Sequence, residues 1–215
     1  MPAIDMSILE QVTALLDRDA ALRISINLDA SSFDDDPIFH RLEQVLTSAR
    51  GLRGRLGIEI TEHTSLRCAE RAEWRLRRLE ELGCDVAIDD FGTGFSSFTH
   101  LRNLPANLVK ISDNFVSDID TDSTARALVE AIVTVAHALG KHVVAEGVER
   151  PEVAELLRGL DIKYAQGYLF GKPAPPASVH AGRPLRLGRD GPAAVEDRGY
   201  EPEAAAVRSA ALTTI

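Results

Sequence analysis

Apolar residues recur at helical spacing in some segments of this chain and as short unbroken runs in others, and the two patterns alternate from Ile4 to Gln166. Ile4, Ile8, Leu9, Val12, Leu15 and Leu16 share one stripe of a helix predicted over residues 1 to about 20. The run Arg23-Ile24-Ser25-Ile26-Asn27-Leu28 predicts a strand, and Pro37 opens a second helix that reaches about Ala49. Leu56-Gly57-Ile58-Glu59-Ile60 predicts the next strand. Between Thr61 and Leu82 the pattern predicts a long helix whose interleaved Arg and Glu face solvent, with Trp74, Leu76 and Leu79 turned inward. The arginines of that helix are assigned no binding role.

Val86-Ala87-Ile88 is a third strand, followed by a short helix around Ser97 to Asn103 that must end near Pro105. Leu108-Val109-Lys110-Ile111 predicts a strand, Ser123 to Leu139 a helix, and His142-Val143-Val144-Ala145-Glu146 a strand. Pro151 starts the last core helix, and Tyr164-Ala165-Gln166-Gly167 is the final strand. Six strands alternating with helices predict an α/β fold with a parallel sheet joined by right-handed crossovers. Asn27, Glu59, Asp89 with Asp90, Lys110, Glu146 and Gln166 all fall at or near the C-terminal end of a strand. Parallel strands bring these ends to one rim, and in a β/α barrel that rim carries the active site.

A chain of 215 residues, 45% of them apolar, fits one domain with a sizeable core. No run reaches the length of a membrane span and no basic segment leads into an apolar stretch, so the expectation is a soluble, cytoplasmic protein. Cys68 and Cys84 form neither a metal motif nor a disulfide framework, and free buried thiols are expected. The net charge of -9 argues against a general nucleic-acid binder, and a phosphate-bearing ligand would need metal ions. From Pro173 onward Pro, Gly, Ala and Arg dominate without periodicity, which predicts a domain over residues 1–173 and a disordered tail over 174–215.

Asp89-Asp90-Phe91-Gly92-Thr93-Gly94-Phe95-Ser96-Ser97 carries the strongest chemical signal. Two adjacent acids at a barrel mouth repel each other and call for a shared proton or a cation. An isolated Asp-Asp pair is more often a solvated strand-to-loop junction; the recurrence of polar residues at every strand end reverses that reading. Asn27, Glu59, Asp89, Asp90 and Glu146 offer oxygen donors only, which suits Mg²⁺ or Mn²⁺ better than zinc. Such a set could hold two cations, the arrangement that clamps attacking and leaving oxygens in phosphodiester hydrolysis. Lys110 would hold a hydroxide or a phosphate oxygen, or else form an ion pair with a neighbouring Asp. The six histidines are scattered, Ser96-Ser97 lack a His-and-acid pair, and Asp90-Phe91-Gly92 stands without the other parts of a kinase site.

Glu59-Ile60-Thr61-Glu62, the Asp89 to Ser97 stretch, Leu104-Pro105, Lys110-Ile111, Ala145-Glu146-Gly147-Val148-Glu149 and Gln166-Gly167-Tyr168 resemble, in order and spacing, the EAL domain family, over about Ile4 to Pro173. The resemblance implies a modified β/α barrel that hydrolyses cyclic di-GMP to linear pGpG with Mg²⁺ or Mn²⁺. It implies that Asn27, Glu59 and Asp89 hold one metal, that Asp89 bridges to a second held by Asp90 and Glu146, and that Lys110 holds the catalytic water. Gln166 would support that shell or the substrate, with Glu62 and Glu149 as supporting acids, Glu62 steadying the loop after Asp90. The chain departs from the family at two places: no Glu-Ala-Leu tripeptide occurs, and the familiar Lys-Ile-Asp reads Lys110-Ile111-Ser112. The barrel is therefore expected to be incomplete, with about six parallel strands and the first two missing. Partners expected are cyclic di-GMP and a homodimer, a missing N-terminal segment or a regulatory domain; the alternative function is an inactive module that binds cyclic di-GMP or a protein.

Overall fold

The computed structural model describes residues 2–67, 69–94, 98–172 and 213–214. Six parallel strands run β1 (Ile24–Asn27), β2 (Leu56–Thr61), β3 (Asp85–Phe91), β4 (Leu108–Ile111), β5 (His142–Ala145) and β6 (Tyr164–Ala165). They lie in the sheet in chain order. Every crossover therefore steps the same way, and a constant hand of crossover puts all the helices on one side of the sheet. That order belongs to a barrel, because a doubly wound sheet reverses direction part-way. The six strands form a curled half-barrel, in agreement with the expected incomplete α/β barrel. A two-residue strand, β7 (Thr213–Thr214), pairs antiparallel with β6. The remainder of the predicted tail, Pro173 included, lies outside the described residues, as do Cys68 and Ser97.

The helices are α1 (Pro2–Arg18), α2 (Ala30–Asp34), α3 (Asp36–Ser48), α4 (Glu62–Arg67), α5 (Ala69–Glu81), α6 (Phe98–Asn103), α7 (Asp113–Val116), α8 (Ser123–Ala138) and α9 (Pro151–Gly159). The long helix expected between Thr61 and Leu82 is two helices, α4 and α5, and α2 and α7 were not foreseen. Both are single short turns after a strand, too brief for a periodic signature. In α3 the Asp35 side chain accepts the Ile38 N–H and Pro37 sits in the first turn, where its missing N–H costs nothing.

Ile24 and Ile26, Leu56, Ile58 and Ile60, Val86 and Ile88, Val109 and Ile111, Val143 and Ala145 are all buried on the helix-facing side of the sheet. Alternate residues face the concave side and are mostly small or polar: Ser25 and Asn27, Gly57, Glu59 and Thr61, Ala87 and Asp89, Lys110, with Leu108 and Val144 the apolar exceptions. A strand side chain alternates faces every residue, so the same run that builds the core delivers the charged groups to the opposite side. The strand starts are pinned too. Asn107 Oδ1 accepts the Val86 N–H at 2.8 Å, and the buried Lys141 ammonium donates to the Leu104 and Ala106 carbonyls at 2.8 Å each.

Three expectations for the outer layer fail. Trp74 is 57% exposed, its ring centre 6.0 Å from that of Phe39, whereas Leu76 and Leu79 are fully buried as expected. Arg75, one of the arginines expected in solvent, is 1% exposed; its guanidinium lies 4.9 Å from the Phe39 ring centre and pairs with Asp36. An arginine stem can cover apolar surface while its planar head stacks on a ring, which alternating charge in a sequence does not reveal. Ile4, expected on the α1 stripe, is exposed, whereas Leu9, Val12 and Leu16 are buried. Leu79→Ala is expected to lower stability in urea denaturation by about 2–5 kcal/mol, and Trp74→Ala by about 1 kcal/mol or less; the opposite order would contradict this packing.

Candidate metal centre

The concave side of β2, β3 and β4 meets at Lys110. Its ammonium lies 2.7 Å from Glu59 Oε2, 2.7 Å from Asp89 Oδ1 and 2.6 Å from Glu146 Oε1. Lys110 and Glu59 are 3% and 5% exposed at the side chain, so these charges are out of water. Of the two uses open to Lys110, the ion pair is present in the structure, with three partners rather than one. Burial alone would lower the Lys110 pKa, but Glu59, Glu146 and Asp89 outweigh it and hold the ammonium above its usual value.

One ammonium does not balance the carboxylates. Asp89, Asp90 and Glu146 each place an oxygen within 4.8 Å of the others. Unit charges at such a separation repel by about 3 kcal/mol per pair at an effective dielectric near 20, a load comparable in sum with the whole stability of a domain. The outcome is visible at Glu146, where burial, reinforced by Asp89 and Glu59 and opposed by Lys110, pushes the pKa from 4.5 up to about 7. Burial and the adjacent Asp89 also raise Asp90. Either protons or cations must neutralise this mouth.

Local backbone geometry makes the cluster possible. The β3–β4 register shifts between Ile88 and Phe91, and Asp90 has a φ of 55°. Asp tolerates the left-handed region better than most residues, and this bulge lets two consecutive acids reach one site where a regular strand would send them to opposite faces. Gly92 follows at φ 98°, and its N–H donates to Glu62 Oε2 at 2.8 Å. The Gln166 amide donates to Glu146 Oε1 at 2.5 Å.

The sequence-predicted residues thus divide. Glu59, Asp89 and Glu146 each contact Lys110, Gln166 contacts Glu146, Asp90 joins through its carboxylate, and Glu62 holds the turn after Asp90. Asn27 sits opposite Glu59 in the β1–β2 register but is exposed, and Glu149 is exposed beyond β5. Neither side chain makes a hydrogen bond or ion pair among the described residues. Sequence reasoning missed His100, whose Nε2 lies 3.1 Å from Ser65 Oγ behind Glu62; residues 35 positions apart give no local signal.

The donor set fits a hard divalent cation. It is made of oxygen alone, and two buried atoms in it lack a well-directed hydrogen bond: Asp89 Oδ1, which has only the charge contact with Lys110, and Gln166 Oε1.

A carboxylate-rich mouth at the strand ends of a curled parallel sheet is the site of a β/α-barrel protein. The chain belongs to the EAL domain family, whose model matches residues 1–173. It is 36% identical over 170 residues to "Cyclic di-GMP phosphodiesterase PdeR" of Escherichia coli K12, covering 79% of this chain and 26% of that protein. It is 37% identical over 162 residues to "Cyclic di-GMP phosphodiesterase NbdA" of Pseudomonas aeruginosa, covering 74% and 20%. The chain spans about a quarter of the length of the curated relatives it matches. Among solved structures it resembles the PaMucR phosphodiesterase in its c-di-GMP complex, with a TM-score of 0.72, 33% identity and coverage of 82% and 71%. The EAL domain protein of Listeria monocytogenes EGD-e gives 0.74, 32%, and 81% and 70%.

Removing the ammonium leaves buried, uncompensated carboxylates, so Lys110→Met is expected to cost the metal-free protein about 3–5 kcal/mol in urea denaturation. A cost below about 1 kcal/mol would contradict the buried charge network described here.

Proposed function

We propose that this chain carries a metal-dependent phosphodiesterase site that hydrolyses cyclic di-GMP to pGpG in the cytoplasm, with residues 1–173 as the domain. The observation that supports it most is Lys110 held against Glu59, Asp89 and Glu146 beside Asp90. Membership of the EAL family and the printed activities of its relatives point the same way. That no helix among the described residues is long and apolar enough to cross a membrane accords with this location.

Asn27, Glu59 and Asp89 would hold one Mg²⁺ or Mn²⁺, and Asp89, Asp90 and Glu146 the second. Bound there, such ions supply an activated water and neutralise charge on the phosphate. The remaining work falls to side chains. Lys110, held against Glu59, Asp89 and Glu146, would donate hydrogen bonds to the attacking oxygen or a phosphate oxygen. The Gln166 amide fixes the Glu146 carboxylate, so that its lone pairs face the mouth. Water adds across one of the two phosphodiester bonds, leaving a 5′-phosphate on one guanosine and a 3′-hydroxyl on the other.

A second reading is a module that binds cyclic di-GMP or a protein without turnover. The Asn27 side chain, exposed and without a hydrogen bond among the described residues, and the absent Glu-Ala-Leu tripeptide favour it.

Incubation with cyclic di-GMP and Mn²⁺ is expected to yield pGpG by chromatography, to stop on chelation, and to fall at least about 100-fold in Lys110→Ala, within the range for loss of one charged group at a reaction centre. Micromolar binding without pGpG selects the second reading, and neither binding nor turnover overturns both. Because the Glu146 carboxyl is protonated below about 7 in the metal-free protein, cation binding must expel that proton. Mn²⁺ affinity is therefore expected to fall roughly tenfold per pH unit below 7, and calorimetry in buffers of different ionisation enthalpy should record about one proton released at pH 6. In the metal-free protein this raised pKa has the opposite effect: the stability it contributes is full below about 4.5 and is lost as pH rises through 7.

A further inference from the structure

Among the described residues, few hydrogen bonds hold the turn that presents Asp89 and Asp90. Asp90 adopts a left-handed backbone conformation, which a residue with a side chain keeps only when its neighbours impose it, and Gly92 follows at a positive φ. Thr93 ties the turn to itself through the Asp90 carbonyl, which accepts its N–H at 3.3 Å and its hydroxyl at 2.8 Å. Among the described residues, the turn is tied to the rest of the fold by the pairing of Phe91 with Ile111 in the sheet and by the Gly92 N–H, donated to Glu62 Oε2. Glu62 is itself 1% exposed, and a buried carboxylate keeps its place only if its surroundings are fixed.

Behind Glu62 stands a group that the phosphodiesterase reading leaves unused. Ser65, fully buried on α4, donates its hydroxyl proton to the Glu62 carbonyl at 2.7 Å. That commits the only hydrogen on Ser65 Oγ. The oxygen can therefore only accept from His100 Nε2, 3.1 Å away on α6, and Nε2 carries a proton in the folded state. Burial lowers the His100 pKa, and the nearby Glu62 charge opposes that shift. Ser, His and Glu together suggest a nucleophile, but this geometry excludes it. The serine is out of reach of any substrate, its proton points at a carbonyl, and the imidazole nitrogen facing it has no lone pair to take that proton.

We infer that Ser65 and His100 are positioning residues: by clamping α6 to α4 they fix Glu62, and through it the Gly92 amide and the turn that aims Asp89 and Asp90 at the mouth. Only the metal-binding arm of the test below rests on the proposed function; the other arm reads the clamp directly.

Amide hydrogen exchange followed by NMR on the full chain reads the clamp through Gly92. In Ser65→Ala and in His100→Phe, Gly92 exchange is expected to accelerate about fivefold or more, the factor equivalent to losing one hydrogen bond. Val109 and Val143 in the sheet should be unaffected. Ser65→Thr and His100→Gln keep the hydroxyl and the donor, and should exchange within about twofold of the unaltered protein. Mn²⁺ affinity by calorimetry should drop about fivefold in the first pair and not in the second, a split that loss of packing alone would not give. Unchanged Gly92 exchange in Ser65→Ala, or equal acceleration in the conservative variants, overturns the inference, and the two positions decide independently if one variant fails to fold. Absence of Mn²⁺ binding by the unaltered chain would overturn the proposed metal site, while Gly92 exchange still decides the clamp.

Discussion

A single buried ammonium facing more negative charge than it can neutralise organises this molecule. Lys110 touches Glu59, Asp89 and Glu146, and Asp90 adds a further carboxylate that the ammonium does not contact. Two charges buried in contact roughly cancel their desolvation cost, whereas surplus charge in the same place does not. The raised pKa of Glu146 is the relief available to the protein without ions. A site that must take up either protons or divalent cations is poised for cations at neutral pH, and this connects the electrostatics of the fold to the chemistry proposed for it.

The rest of the structure exists to hold that surplus together. Parallel pairing in chain order brings the strand ends to one rim, and the curl of the sheet lets Lys110 on β4 reach Glu59 on β2 across β3. On the helix-facing side, isoleucine, valine and leucine supply the burial that offsets the repulsion at the mouth. The irregularity at Asp89 and Asp90 is the one place where the strand departs from its pleat, and it is also where two acids are needed on one side.

Much of this was legible in the sequence. Short runs rich in branched apolar residues marked the first five parallel strands, and the strand ends named the residues that meet. What escaped was decided by tertiary context. Trp74 and Arg75 exchanged their expected places because a stacked guanidinium buries as well as an indole when phenylalanine rings are available. The long charged helix proved to be two, α4 and α5. His100 found its partner through the packing of α6 on α4, and Thr213–Thr214 joined the sheet from a stretch without apolar period. Asn27, named from its strand-end position, lies in register with Glu59 yet stays exposed, because register fixes a Cα and not where an amide points.

The proposed cation site therefore rests on Asp89, Asp90 and Glu146 carrying more charge than Lys110 neutralises. Anomalous diffraction from crystals of the chain grown with Mn²⁺ tests it most directly. The account predicts a manganese peak within coordination distance, about 2.0–2.3 Å, of oxygens from all three carboxylates. Crystals saturated with Mn²⁺ that show no peak there, or show it only at surface acids such as Asp34 to Asp36, would contradict it.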